Sequence, residues 1–360
     1  MVRVLQVVTY MGVGGLENML MNYYRNIDRD KIQFDFLTHR YEIANYDKEI
    51  QSLGGRIYHL PKLNPFSKNY LNTLDEFFKE HKEYKIVHCH QDCLSGVVLK
   101  YAKKNNVPFT IAHAHSSNQD KNLKYLIKLL AKKNIKKYSD ELFACSNSAG
   151  KWMFNTNDFK ILNNAIDIDL YTYNKEKALT IKQKLGIQDK FVVGHVGSFS
   201  PPKNHKFIID IFNEIQKQNK NSILLLIGNG EGSSEIEKKV ESLGISEKVK
   251  FMGLRSDVNN LMQSMDVLLF PSLYEGLPLT LVEAQASGLK CVISDKVPLD
   301  CKMTENIEVV KLEESPQKWA EEVLKYQKYE RKNTKEEIVK ANFDIKANAK
   351  YLQEFYLNKC

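Results

Sequence analysis

Apolar residues along the chain fall into short unbroken runs, each closed by glycine, proline or small polar residues and followed by a stretch in which apolar positions recur at helical spacing. Unbroken runs mark parallel strands buried on both faces, and the 3.6-residue recurrence marks helices packed against them. In the first half strands are expected at 2–9, 32–37, 55–59, 85–89, 109–112 and 141–145. Helices are expected at 47–53, 69–81 and 93–105, with another entered from the turn at 11–17 and running through Tyr24. In the second half the strands fall at 191–196, 222–227, 249–252, 267–270 and from Cys291. The helices there fall at 206–218, 235–243, 258–265, from Leu279 to the stop at Gly288, and at 315–329. The stretch 338–357 reads as terminal helices with Tyr351, Leu352, Phe355 and Tyr356 as an apolar stripe. This is βα winding carried out twice, an α/β chain of two Rossmann-like domains expected at 1–165 and 166–337, with terminal helices over 338–360.

The pattern changes most sharply around 267–293. Val267, Leu268, Leu269 and Phe270 form a buried strand, Pro271 ends it, Gly276 and Pro278 keep the next residues irregular, and Leu281, Val282 and Ala286 then recur at helical spacing. Glu275 falls in the loop and Glu283 on the helix, eight positions apart. Ligands of open parallel sheets bind beyond the carboxyl ends of strands, and a helix N-terminus there, with free N–H groups, suits a phosphate or a sugar. Acidic residues near a helix start also serve the helix dipole alone.

At 360 residues and 43% hydrophobic content the chain is globular and long enough for two cores. A formal charge of +8 admits nucleic acid, anionic lipid or phosphate-bearing ligands, but no nucleic-acid-binding motif appears. The apolar opening is interrupted by Arg3 and Gln6 and leads into a glycine loop, so it reads as a strand and not a signal. No apolar stretch approaches the length of a membrane span. The six cysteines lack a framework spacing and fit reduced, cytosolic thiols. The cluster His88, Cys89, His90, Asp92, Cys93 invites a metal reading, which is set aside because alternate strand residues point to opposite faces and no second ligand pair has a matching spacing. No metal and no resident cofactor are expected.

The turn Met11-Gly12-Val13-Gly14-Gly15-Leu16-Glu17 almost gives a dinucleotide fingerprint, but Glu17 stands where its third glycine would be and no acidic ribose ligand follows. For Gly14 and Gly15 two readings stay open, a ligand loop or a tight turn needing positive φ. The segment His113-Ala114-His115-Ser116-Ser117-Asn118 is expected past the end of a strand, where an imidazole can donate or accept a hydrogen bond. Over 121–138 apolar residues alternate with lysines as in a basic amphipathic helix, which lies either on an anionic membrane surface or on the core with solvated lysines.

At these residues a family resemblance appears. EGLPLTLVE resembles the E-x7-E signature of retaining GT4 glycosyltransferases of GT-B architecture, and Gly14-Gly15-Leu16-Glu17 resembles their GG-x-E loop. AHAHSSN resembles a histidine segment of bacterial polysaccharide transferases, Ile161 to Asp169 their N-G-(I/V)-D segment, and Gly228 to Gly232 their L-x-G-x-G turn. The resemblance implies two Rossmann-like domains facing a central cleft, with the C-terminal helix crossing back to the first. It implies that Glu283 holds the ribose of a nucleotide-sugar and that Glu275 faces the donor sugar. The backbone of Gly276, Leu277, Pro278 and Leu279 would contact sugar and diphosphate, Leu254 the base, Gly14 and Gly15 the diphosphate, and Lys203 and Gly228 the donor. His115 is expected at the reacting sugar, with His113 as second choice and Glu17 on the acceptor side. The family's arginine before that lysine is here Ser198. Asp167-Ile168-Asp169 mimics the D-x-D metal motif of another glycosyltransferase fold and is discounted at a domain junction.

The expected activity is metal-independent, retaining transfer of a sugar from a nucleotide-sugar, with UDP the expected base carrier, to a hydroxyl of a lipid-linked or growing polysaccharide, as in capsule or exopolysaccharide assembly. The partners are then the donor, a glycan acceptor and an anionic membrane touched peripherally from the cytoplasm, with no nucleic acid. Ser198 keeps a rival in view, a non-catalytic subunit of the same fold that binds glycan or nucleotide.

Overall fold

A computed structural model describes residues 1–116, 129 and 131–360. The chain divides into two compact units, 1–166 together with 344–360, and 167–343. Among the described residues no helix is long and apolar enough to cross a membrane.

In the first unit β1 (Val2–Val7), β2 (Ile32–Thr38), β3 (Ile57–His59), β4 (Ile86–Cys89), β5 (Phe109–Ala114), β6 (Glu141–Ala144) and β7 (Lys160–Ile161) form a parallel sheet in the order β3-β2-β1-β4-β5-β6-β7. The order reverses at β1, so the crevice between the ends of β1 and β4 is the switch point where such sheets place ligands. Around it pack α1 (Gly15–Asn26), α2 (Asp47–Ser52), α3 (Lys68–Glu80), α4 (Ser95–Lys104) and α5 (Asn147–Phe154). Helix α1 forms because Met19, Leu20, Met21, Tyr23 and Tyr24 bury one face, Glu17 lies in its first turn and Arg25 in its last, each favourable to the dipole. Cores occupy both faces of the sheet, one built on Phe34, Phe36 and Tyr24, the other on Leu74, Phe78 and Val98.

The second unit opens with α6 (Ile168–Tyr171) and α7 (Lys175–Leu185). Its sheet contains β8 (Phe191–Val196), β9 (Ser222–Ile227), β10 (Val249–Gly253), β11 (Val267–Phe270), β12 (Lys290–Ser294) and β13 (Ile307–Val310), in the order β10-β9-β8-β11-β12-β13. Its other helices are α8 (His205–Gln218), α9 (Ser233–Ser242), α10 (Val258–Ser264), α11 (Leu279–Ala286), α12 (Pro316–Leu324) and α13 (Lys335–Lys340). Helix α14 (Ile345–Leu357) then rejoins the first unit, burying Leu352, Phe355 and Tyr356 in its core.

Several expectations change. The helical pattern over 338–357 is broken by Asn342 in the left-handed region (φ 62°), so α13 stays in the second unit and only α14 belongs to the first. The helix expected over 315–329 stops at Leu324. Of the basic helix expected over 121–138, residues 121–128 and 130 lie outside the described residues; Leu129, Ala131 and Lys132 are helical, and Lys136–Tyr138 form a 3-10 turn.

Candidate active site

In the second unit the loops after β8 and β11 are tied together. Pro201 and Pro202 open a short 3-10 turn ending at Lys203, and Asn204, left-handed at φ 56°, starts α8. The Asn204 amide donates to the Pro271 carbonyl at 3.1 Å, and the Leu273 N–H donates to the Pro202 carbonyl at 2.8 Å. These straps set Lys203 against Glu275, Nζ to Oε1 2.6 Å, with Nζ 4.9 Å from the centre of the Phe270 ring. The two side chains are 19% and 10% exposed, so the pair is only partly screened by water. Gly228 holds the floor of this region. Its φ is 145°, and a Cβ there would lie 2.0 Å from the Gly197 carbonyl oxygen, so no other residue fits. Leu254, just past the end of β10, is exposed.

Glu283 sits on the second turn of α11, whose N-cap, Pro278, supplies no side-chain acceptor. The first-turn N–H groups around Leu279 are therefore those a helix leaves for an outside acceptor. The Tyr171 hydroxyl donates to Glu283 Oε1 at 2.7 Å. Burial pushes the Glu283 carboxyl up to about 7, against the pull of that hydrogen bond. Tyr171 was not singled out from the sequence: it lies 112 positions away on a four-residue helix, and no local pattern links it to Glu283. Asp167 caps that helix through the Asp169 N–H, and Asp169 pairs with Lys335 at 2.5 Å.

Ser198 is exposed, its hydroxyl 2.9 Å from that of Ser200. Neither arginine of this unit takes the missing place. Arg255 pairs with Asp257, and Arg331 is spent on the Met262 and Ser287 carbonyls and the Tyr173 ring. A cavity of ≈ 710 Å³ opens beside Ser198, lined also by Phe199, His205, Lys206 and Glu235. Of the expected donor residues it touches Ser198 alone, and Lys206 pairs there with Glu235 at 2.6 Å.

In the first unit neither Gly14 nor Gly15 has positive φ, which removes the tight-turn reading. Gly14 is extended, and a Cβ on it would lie 2.4 Å from Glu17 Oε2; Gly15 faces open space. Burial raises the Glu17 carboxyl above its ordinary value.

The histidines are placed differently from expectation. His113 is not beyond the strand but inside β5 and fully buried, while His115 is the first residue past it and half-buried. β4 and β5 are parallel neighbours, so His88 and His90 meet His113 and His115. Alternation separates Cys89 from these histidines, but it puts His88 and His90 on one face; the second pair comes from the adjoining strand. His88 Nε2 lies 3.2 Å from His113 Nδ1, and His90 Nδ1 lies 2.8 Å from His115 Nε2. Ring nitrogens of His88, His90 and His113 fall within 4.8 Å of one another. Yet His88 stacks on His113 at 15° and on His90 at 27°, and their nitrogens are hydrogen-bonded to one another, to Tyr356 and to Gln6. An ion among these rings would have to displace the hydrogen bonds that His88 and His90 make to Tyr356, Gln6 and the neighbouring histidines. Burial, aided at three of the rings by neighbouring histidines, lowers all four pKa values, that of His115 to about 3, so the set is neutral at pH 7.

Comparison with known proteins follows the same division. Residues 13–170 match the family model described as Glycosyltransferase Family 4, and residues 177–344 match that described as Glycosyl transferases group 1. The chain is similar to the putative glycosyltransferase EpsF of Bacillus subtilis, 34% identical across 98% of this chain and 96% of that one. It is 24% identical to the capsular polysaccharide biosynthesis glycosyltransferase CapH of Staphylococcus aureus, across 100% and 99% of the two chains. Among solved structures, Anabaena HepE in complex with UDP and glucose aligns with a TM-score of 0.73 at 19% identity, covering 98% of this chain and 95% of that one. The chain belongs to the GT4 glycosyltransferases, with the two Rossmann-like domains of the GT-B architecture.

Proposed function

We propose that the protein is a retaining glycosyltransferase of capsule or exopolysaccharide assembly that moves a sugar from a UDP-sugar to a hydroxyl of a lipid-linked or growing saccharide. The observation that carries this reading is Glu283, half-buried near the uncapped start of α11 and aimed by Tyr171, a carboxylate suited to a pair of ribose hydroxyls. The similarity to EpsF and CapH supports the process, and the UDP held by HepE supports the nucleotide.

In this reading the anomeric C–O bond to the diphosphate breaks, a bond from the same carbon to the acceptor oxygen forms on the same face, and the acceptor proton leaves with the diphosphate. Lys203 and the N–H groups at the start of α11 meet the charge gathering on the leaving group, and Gly14 and Gly15 leave room for it. Glu275 and His115 hold the sugar while it carries oxocarbenium character, with Glu17 toward the acceptor. No step calls for a metal ion. The lysines of 121–138 bring the enzyme to an anionic cytoplasmic membrane surface.

A panel of UDP-, GDP- and ADP-sugars scored by thermal stabilisation tests the reading, since a ligand at 100 times its Kd adds about 2.7 kcal/mol. Stabilisation by UDP-sugars, lost in Glu283→Ala, is expected. Failure of every nucleotide to bind the wild type, with binding gained in Ser198→Arg, would instead favour the non-catalytic subunit.

A further inference from the structure

The hydrogen bonds around the four histidines determine where each proton sits. Gln6, buried in β1, is the member of the set whose donor and acceptor are fixed to different atoms, the amide nitrogen and the amide oxygen, whereas either nitrogen of an imidazole can carry the proton. Its Oε1 lies 2.9 Å from His90 Nε2, and its Nε2 donates to the Tyr356 hydroxyl at 3.2 Å. From this amide two chains of bonds run outward.

Along the first, His90 Nε2 must carry the proton it gives to Gln6, which leaves His90 Nδ1 as an acceptor. His115 Nε2, 2.8 Å away, must then be the donor, and His115 Nδ1 is left with a bare lone pair. Along the second, the Tyr356 oxygen already accepts from Gln6, so its O–H donates to His88 Nδ1 at 2.6 Å. His88 Nε2–H then donates to His113 Nδ1 at 3.2 Å, and His113 Nε2 keeps a proton. The two free ends are His113 Nε2 and His115 Nδ1, the only ring nitrogens of the four that are buried without a partner among the described residues. Their rings lie 4.1 Å apart.

We propose that Gln6 is a positioning residue which, through His90, holds His115 as its Nε2–H tautomer, so that Nδ1 meets the substrate as a hydrogen-bond acceptor. Turning the amide over would reverse every bond in both chains: His115 Nδ1 would become a donor and His113 Nε2 the acceptor. Gln6 thus selects which of the two histidines is the acceptor, and Tyr356, from the last helix, enters the His88–His113 chain directly and reaches His115 only through the amide. Because all four rings stay neutral, the selection is between tautomers and not between charges. The consequence for sugar transfer rests on the function proposed above; the tautomer assignment does not.

The test is 15N NMR of the full chain labelled at histidine, at pH 7. All four rings are expected as Nε2–H tautomers. Gln6→Met, close in length and without a polar atom to bond, should turn His90 and His115 into tautomer mixtures. Tyr356→Phe should disturb His88 and His113 while leaving His115 unchanged, and it reports on the same network from outside β1 should Gln6→Met fold poorly. Nδ1–H at His115 in the wild type, or an equal disturbance of His115 by both variants, would overturn the assignment. On the nucleotide-sugar found in the panel, Gln6→Met should lower kcat roughly tenfold or more with KM little changed, and Tyr356→Phe should cost far less. A tautomer shift at His115 without a fall in kcat would overturn the positioning role. A panel that yields no donor would count against the transferase reading, while the NMR spectra would still support or overturn the tautomer assignment.

Discussion

Glu283 makes a prediction in which stability and function move in opposite directions. Its carboxyl is raised from 4.5 to about 7 because burial disfavours the charge more than the Tyr171 hydrogen bond favours it. At about 1.4 kcal/mol per pH unit, holding the carboxylate ionised in the free protein costs about 3 kcal/mol. The folded state binds more protons than the unfolded state between roughly pH 4.5 and 7, so stability from this group is present at the acid end and is lost as pH rises through 7. In the proposed role of Glu283, ribose hydroxyls donate to the ionised form, so donor binding must expel the proton. UDP affinity should therefore fall about tenfold per pH unit below 7 and level off above 8, with close to half a proton released per UDP bound at pH 7. Calorimetry in two buffers of different ionisation enthalpy counts that proton directly. Glu283→Gln keeps an acceptor for Tyr171 but cannot ionise, so at pH 8 it should raise the melting temperature, gaining up to about 3 kcal/mol, while weakening UDP. Tyr171→Phe should move the inflection to higher pH. A flat affinity from pH 6 to 8, or a Gln variant less stable than wild type at pH 8, would refute the reasoning.

Lys203→Ala should weaken UDP binding by about 1.5–3 kcal/mol in calorimetry, the worth of a charge-assisted contact, and Glu275→Gln should tighten UDP while slowing sugar transfer, because it frees Lys203 from its 2.6 Å partner. Gly228→Ala should destabilise the second unit by more than about 2 kcal/mol in urea melts, since its φ of 145° and the Gly197 carbonyl both refuse a Cβ. Asp35→Ala should cost about 3–5 kcal/mol, because it strips a buried carboxylate from Arg3, the Arg56 N–H at 2.6 Å and the Tyr84 hydroxyl at 2.7 Å. Replacing Lys124, Lys128 and Lys132 together by Glu should release the protein from anionic vesicles in flotation assays without slowing donor hydrolysis.

The elements with a strong apolar pattern were legible in the sequence. The run Val267–Phe270, the proline after it and the helical recurrence from Leu279 gave the strand, loop and helix that carry Glu275 and Glu283. Helix α7 escaped notice because it buries only Ala178 and so has no apolar stripe. The break between α13 and α14 escaped because Asn342 adopts positive φ as few residues do, with no glycine or proline to announce it. At the site, the missed partners are all distant in sequence. Tyr171 reaches Glu283 across 112 positions and Tyr356 reaches His88 across 268. The histidine set did leave a signal. Two His-x-His pairs, 88/90 and 113/115, end consecutive strand candidates. Consecutive strands of a parallel sheet are commonly neighbours, so the sequence alone contains enough to place both pairs on one face.

The charged groups of the second unit's site are already engaged within the fold. Lys203 is held by Glu275, and Glu283 by Tyr171 together with a half share of a proton at pH 7. In the function proposed above, donor binding is therefore an exchange and not an addition. A diphosphate gains Lys203 only as Glu275 lets go, and a ribose gains the Glu283 carboxylate only as the proton departs. Each exchange returns part of the gross interaction, which holds affinity for the nucleotide alone below the sum of its contacts. The displaced Glu275 is then a free carboxylate beside the loop that would take the sugar. The Lys203–Glu275 ion pair can in this way give up a charge to face the oxocarbenium-like sugar, where it is stronger in the transition state than in the ground state. The absence of an arginine at Ser198 fits the same exchange: a second fixed cation would hold the diphosphate without releasing Glu275, tightening the ground state with no matching gain in rate.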